Sequence, residues 1–176
     1  MTYLYYEKMN VSVEKSKDEN RDRFVLSKGH AAPALYAVLA EKGYFPKSEL
    51  KSLRKIGGLL QGHPDAKHIN GVDVSTGSLG QGISNAVGMA LGLKALNKNS
   101  KVYTILGDGE LQEGLVWEAA MAAGHYKLNN LVAVIDNNGL QIDGKNEEVM
   151  NINPIDKKFE SFGWNVILCD DGNDFE

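Results

Sequence analysis

Two short apolar runs, each closed by a polar turn and separated by one helix's worth of chain, constrain the fold most. Lys101-Val-Tyr-Thr-Ile-Leu106 is β-branched and aromatic and runs into Gly107-Asp108-Gly109; Leu131-Val-Ala-Val-Ile135 repeats that character and runs into Asp136-Asn137-Asn138. Such runs predict strands buried on both faces, as in a parallel sheet. Between them, residues 112–127 carry Leu115, Val116, Ala119, Ala120, Ala123 and Tyr126 at three- and four-residue steps, the spacing of a helix with one apolar face. The three segments predict a βαβ unit, in which both strands end on the same edge of the sheet, the edge where ligands bind. Asp108 and Asn138 are therefore expected side by side although thirty residues separate them.

One carboxylate, one amide oxygen and a backbone carbonyl just beyond suit a hard octahedral cation that keeps phosphate oxygens as its other ligands. Magnesium has that preference, with calcium the alternative cation. Gly107 and Gly109 lack a Cβ, so the backbone can come within hydrogen-bonding distance of a diphosphate. Gly, Asp and Asn also dominate ordinary turns, so neither motif carries the reading alone. The pair does, because each closes a strand and a helix lies between them.

Chain length supports one domain with a real core: there are 176 residues, 43% of them hydrophobic and 24% charged. The net charge of −4 comes from interspersed acids and bases, with no basic stripe of the kind that binds nucleic acid. Cys169 is the single cysteine, which excludes an internal disulfide and fits a reducing compartment. No apolar run approaches the roughly 20 residues of a membrane span, and the first fifteen residues lack the features of a signal peptide, so the expected location is cytoplasmic and off the membrane.

Along the chain, residues 2–9 read as the tail of an amphipathic helix and Ser12 to Arg23 as a solvated charged connector. Phe24-Val-Leu26 is a short strand leading into Ser27-Lys-Gly-His30, and Ala31 to Lys42 is a helix with Leu35, Val38 and Leu39 inward. His30 thus sits at a strand-to-helix junction, from which side chains reach ligands in α/β sheets. Pro46 to Lys55 reads as a second, basic helix anchored by Leu50 and Leu53. The glycine-rich segment from Gly57 to Gly82 is loop over most of its length, and a loop that long in a compact domain carries function. Gly82 to Leu93 follows as a helix whose small residues suit close backbone contact. Gly77-Ser-Leu-Gly-Gln-Gly82 has the spacing of a dinucleotide fingerprint but no strand leads directly into it, so that reading is rejected. A short helix is expected from Ile155 to Phe162, and Trp164-Asn-Val-Ile-Leu168 as a further strand. His68 and His125 read as structural.

Gly107-Asp-Gly-Glu-Leu-Gln-Glu-Gly114, Trp117-Glu-Ala-Ala, Ala123-Gly-His-Tyr-Lys-Leu-Asn-Asn-Leu131 and Asp136-Asn-Asn-Gly-Leu-Gln-Ile-Asp-Gly144 together resemble the diphosphate-binding domain of transketolases, over nearly the whole chain. Gly-Asp-Gly with Asn-Asn identifies only a thiamine-diphosphate cofactor. Leu-Gln-Glu-Gly, with Ser27-Lys-Gly-His-Ala31 and Gly62-His-Pro64, narrows the resemblance to transketolases. It implies an α/β thiamine-diphosphate-binding fold, a parallel sheet flanked by helices, and transfer of a two-carbon ketol unit between sugar phosphates. Asp108 and Asn138 through side chains, with Leu140 through its carbonyl, would hold magnesium. Gly107, Gly109 and Glu110 would lie at the cofactor, with the Gly109 N–H offered to the diphosphate, and Gly77, Ser78 and Leu79 would wall it. His30 and His63 would handle protons and substrate hydroxyls, imidazole titrating near neutrality. The resemblance places Glu113 and Glu118 in a carboxylate network at a subunit interface, although acids near a helix N-terminus have a simple electrostatic explanation.

Against the family pattern, the chain has no second domain to supply the glutamate that activates the aminopyrimidine ring, no early Ser-Gly-His-Pro element and no later histidine. Asn137 stands where an aspartate is often found. Residues 1–176 are therefore expected to form a single shortened domain working with a complementary pyrimidine-binding chain or a homodimer mate. Another thiamine-diphosphate enzyme subunit, or a non-catalytic dimerising fragment, is the alternative.

Overall fold

A computed structural model describes residues 1–142 and 144–173. Three parallel strands form its sheet: β1 (Arg23–Leu26), β2 (Val102–Gly107) and β3 (Leu131–Asp136), in the order β1-β2-β3. Helices α1 (Ala32–Glu41) and α2 (Gln81–Ala95) lie in the connection from β1 to β2, and α3 (Gly114–His125) in that from β2 to β3. The α/β architecture expected from the sequence is the one observed.

Alternation along the strands assigns side chains to two cores. Phe24, Leu26, Tyr103 and Ile105 face α1, packing with Leu35, Tyr36 and Leu39. Val25, Val102 and Leu106 face the other way, onto Ile83, Ala86 and Ala90 of α2 and Val116, Ala120 and Ala123 of α3. β2 lies between its two neighbours and all six of its residues are buried. β3 instead alternates: Val132 and Val134 are exposed, because their face of the sheet extends past the helix that covers β1 and β2.

Pro33 in the first turn of α1 supplies a preset φ and lacks only an N–H that would have no helical partner. Ala86 and Ala90 keep α2 thin on its buried side. Gly82 brings its first turn onto the end of β1, where a Cβ would lie 2.5 Å from the Ser27 Cα. β1's outer edge is capped by side chains of the glycine-rich loop: Asp73 accepts the Phe24 N–H at 2.8 Å, and the Thr76 hydroxyl donates to the Leu26 carbonyl at 2.7 Å. A long loop here closes a sheet edge that would otherwise invite pairing.

Several local expectations are corrected. The helix expected over 112–127 is split: a short 3-10 turn, Gly109–Gln112, is followed at Glu113 by extended backbone before α3 begins. Leu115 and Tyr126 fall outside its buried face. Pro46–Lys55 yields only a 3-10 segment, Lys47–Ser52; the helix expected near the start is present, wide-turned over Leu4–Lys8, with Tyr5 buried and Tyr6, like Tyr3 just before it, exposed. The Ser12–Arg23 connector is solvated only in its first part: Arg21 pairs with Asp73, and buried Asp22 accepts the N–H groups of Asn10 and Lys101. Trp164–Leu168 joins no sheet. Its Trp164 donates to the Ala120 carbonyl, but Ile167 and Leu168 are exposed, and a strand without ladder bonds or a covered face has nothing to hold it. Past β3 the chain forms a two-residue hairpin, Leu140–Gln141 with Gly144–Lys145, and two short helices, Asn146–Val149 and Ile155–Ser161. Among the described residues, no helix is long and apolar enough to cross a membrane.

Gly82→Ala is expected to lower stability by about 1–3 kcal/mol through overpacking against Ser27. A urea midpoint equal to that of the native protein would show slack in this contact.

Candidate functional site

The register brings Gly107 opposite Asp136, so the residues that follow, Asp108 and Asn138, emerge from the same carboxyl edge of the sheet. Asp108 is 2% exposed and bridges the two strand ends: Oδ1 accepts from the Gly109 N–H at 2.8 Å and Oδ2 from the Gly139 N–H at 2.6 Å. Asn138 is exposed, and its Oδ1 accepts the Leu140 N–H at 2.9 Å in a turn that aims the chain into the hairpin. An amide oxygen has a second lone pair, so this bond leaves it able to ligate. Asp108, Asn138 and the Leu140 carbonyl offer hard oxygen donors. No group of three or more His, Cys, Asp or Glu side chains able to hold a metal ion occurs among the described residues. The donor set therefore suits a cation that arrives with phosphate oxygens of its own.

Observations beside this turn fit such a group. A Cβ on Gly109 would stand 3.0 Å from Gln141 Cβ and 3.4 Å from Asn146 Oδ1, so only glycine lets the backbone lie this close. Gln141 Nε2 and Asn146 Oδ1 are buried there without a hydrogen-bond partner, one a donor and the other an acceptor. The Gly109 N–H, expected to point at a diphosphate, donates instead to Asp108. Glu110 is also 2% exposed, and its carboxylate turns inward to accept from Ser27 Oγ, the Gly80 N–H and the Gly107 N–H.

The glycine-rich loop closes over the same edge. Gly29 meets it so tightly that a Cβ would lie 2.9 Å from both Gly77 N and Thr76 Oγ1. His63 packs on Gly77, its ring carbon Cγ 3.3 Å from where a Cβ would be. That loop is fastened by Tyr36, whose hydroxyl lies 2.8 Å from the His63 carbonyl and 3.0 Å from that of Gln61. Burial pushes the Tyr36 hydroxyl up to about 12, so it stays a donor at any ordinary pH. Between this loop and the first turns of α2 opens a polar cavity of about 270 Å³, lined by Ser75, Thr76, Gly77, Ser78, Gln81 and Asn85. Leu79, next along the loop, is half-buried.

His30 follows β1 in a single 3-10 turn, Gly29–Ala31, and is exposed. Partial burial, then the charge of Lys28, hold its imidazole below the ordinary value; Glu110 opposes them, and His63 adds a smaller depression. Lys28 reaches across the end of β2 to Asp136 at 2.6 Å. Glu118 lies on a solvent-facing position of α3, and Glu113, just before that helix, is exposed with its Cβ against Gly80. Reading the sequence singled out His30, His63, Asp108 and Asn138. It passed over Tyr36, Ser27 and Lys28, of which the last two sat inside a motif already noticed.

The family model described as the transketolase thiamine diphosphate binding domain matches residues 1–176. A 6-deoxy-6-sulfo-D-fructose transketolase subunit of Clostridium sp. (strain MSTE9) is 47% identical over 170 residues, covering 97% of this chain and 62% of that protein. An apulose-4-phosphate transketolase subunit of Phocaeicola vulgatus is 46% identical over 167 residues, covering 95% of this chain and 59% of its own length. The transketolase of Leishmania mexicana superposes with a TM-score of 0.90 at 35% identity, over 94% of this chain and 26% of that one. The chain thus spans about three fifths of the length of these two relatives.

A depressed imidazole pKa means that folding favours the neutral ring; its contribution to stability is present above the unfolded value of about 6.5 and is lost as pH falls through the folded one. The His30 ring is expected to titrate below that value by NMR, and Lys28→Met to move the midpoint upward. An unmoved midpoint would show that Lys28 does not reach it.

Proposed function

The chain belongs to the transketolase family, matching its thiamine diphosphate binding domain along its length, and from that premise we propose that it takes part in ketol transfer between sugar phosphates with thiamine diphosphate and magnesium. The observation that carries this is the meeting of Asp108 and Asn138 on one sheet edge, with buried Asp108 bonded to both strand ends. In the proposed assignment Asp108, Asn138 and the Leu140 carbonyl hold the cation, calcium being an acceptable substitute. Gly107, Gly109 and Glu110 lie against the diphosphate by close approach of the chain, the N–H groups of the two glycines being given to Glu110 and Asp108, and Gly77, Ser78 and Leu79 form the adjoining wall. When bound, the cofactor supplies a nucleophilic carbon and a store for the electron pair left when a two-carbon unit leaves its donor.

The protein's own part is to orient and to move protons. His30, kept neutral near pH 7 by burial and by Lys28, accepts a proton from a substrate hydroxyl. His63, exposed and packed on Gly77, would serve as the second imidazole, positioned by Tyr36 through its own carbonyl. Lys28 puts a cation beside Gly107, where diphosphate charge would gather.

A complementary chain is part of the proposal. The two relatives are named as subunits, and Glu118 on α3 and Glu113 just before it are exposed acids, which suits contact with a mate. Those relatives are also named for sugars with an anionic tail, a sulfonate in one and a phosphate in the other. A phosphorylated ketose donor is consistent with that class.

Asp108→Ala is expected to weaken magnesium–thiamine diphosphate binding by about 100-fold or more, as befits loss of a charged ligand. Calorimetric titration checks this, and unchanged affinity would remove the metal assignment. With the complementary chain present, His63→Ala should slow ketol transfer by about 10²-fold or more while sparing cofactor binding; a native rate would make His63 structural.

A further inference from the structure

Glu110 is a buried acid whose hydrogen-bond donors, among the described residues, are all neutral. Its Oε1 accepts from the Ser27 hydroxyl at 2.5 Å and the Gly80 N–H at 2.9 Å, and its Oε2 from the Gly107 N–H at 3.1 Å. Burying an ionised carboxylate is costly unless hydrogen bonds or an opposing potential replace the water. Three donors replace it here, and a fourth contribution comes from α2. Gly80 is the N-cap of that fifteen-residue helix and has no side chain to cap it. Glu110 does so from another element, standing at the positive end of the helix dipole.

The three donors belong to three segments: the end of β1, the start of α2 and the end of β2. None has slack. A Cβ on Gly82 would lie 2.5 Å from Ser27, and one on Gly80, whose φ is +81°, would lie 2.8 Å from Glu113 Cβ. Gly77, Ser78 and Leu79 directly precede Gly80, while Asp108 and Gly109 directly precede Glu110. The carboxylate is therefore the direct tie between the wall of the site and its phosphate turn.

We propose that Glu110 is a positioning residue whose buried carboxylate sets the spacing between the Gly77–Leu79 wall and the Asp108–Gly109 turn, so that ring and diphosphate contacts of the cofactor are made together. This rests on the thiamine diphosphate reading of the edge. It also changes the role of Glu110: the side chain acts through its neighbours and does not touch the cofactor. An acid near the start of α3 turns out to serve the start of α2.

The test uses the full chain with its complementary chain present, native and with Glu110→Gln or Glu110→Asp, and two ligands: magnesium pyrophosphate, which reports the turn alone, and magnesium thiamine diphosphate, which needs the wall as well. Gln keeps the shape but loses the charge and turns donors toward N–H groups; Asp keeps the charge one methylene short, and carries the test if the Gln variant fails to fold. Both are expected to hold pyrophosphate affinity within about 3-fold while losing about 10-fold or more for thiamine diphosphate, and Gln to speed amide exchange at Gly80 by about 10-fold. Unchanged exchange at Gly80 overturns the proposal by showing that the carboxylate does not hold the helix start, and equal loss for the two ligands overturns it by leaving Glu110 a fold anchor. A native chain that binds neither ligand overturns the reading of the edge and the cofactor role with it, while exchange at Gly80 still decides whether the carboxylate holds the helix start.

Discussion

Everything at the candidate site depends on where β2 stops. Its six residues are buried on both faces and paired along both edges, so neither its register nor its end can drift without uncovering apolar side chains. Because the ladder aligns Gly107 with Asp136, two polar turns leave the sheet together, and Asp108 joins them by accepting an N–H from each side. The apolar interior thereby determines, to within a hydrogen bond, where a group of charged and polar atoms must stand.

That edge gathers charge at close range. Asp108 and Glu110 are buried two residues apart, and each is made tolerable by backbone N–H groups in place of a cation. Lys28 and Asp136 form a pair across the end of β2, with the lysine side chain nearly covered and the aspartate open. His30, exposed beside them, feels that lysine and the neighbouring histidine and is biased toward its neutral form. Acids set in N–H groups, one cation and two imidazoles give the edge the mixed charge that the proposed divalent ion and anionic ligand would each offset.

Legibility in the sequence followed how local the cause was. The βαβ unit was visible because buried strands and an apolar helix face repeat within a few residues of each other, and Gly-Asp-Gly with Asn-Asn marked both strand ends. Contacts that join distant segments left no such trace. Tyr36 looked like another inward residue of α1, yet its hydroxyl holds the His63 loop twenty-seven positions away. Asp22 and Arg21 sat in a run of charges that reads as solvated, and they tie down the start of the sheet. Trp164–Leu168 had a strand's composition without a strand's neighbours.

By itself, the order of residues determined the fold class, the two strand ends and the residue types placed there, since periodicity and turn chemistry act over a handful of bonds. Tertiary structure alone decided how those residues are used. It turned the Glu110 carboxylate toward α2, closed the glycine-rich loop on β1, and set Glu113 and Glu118 on an open face, because each depends on distances between segments that the chain brings together only once its two cores are packed.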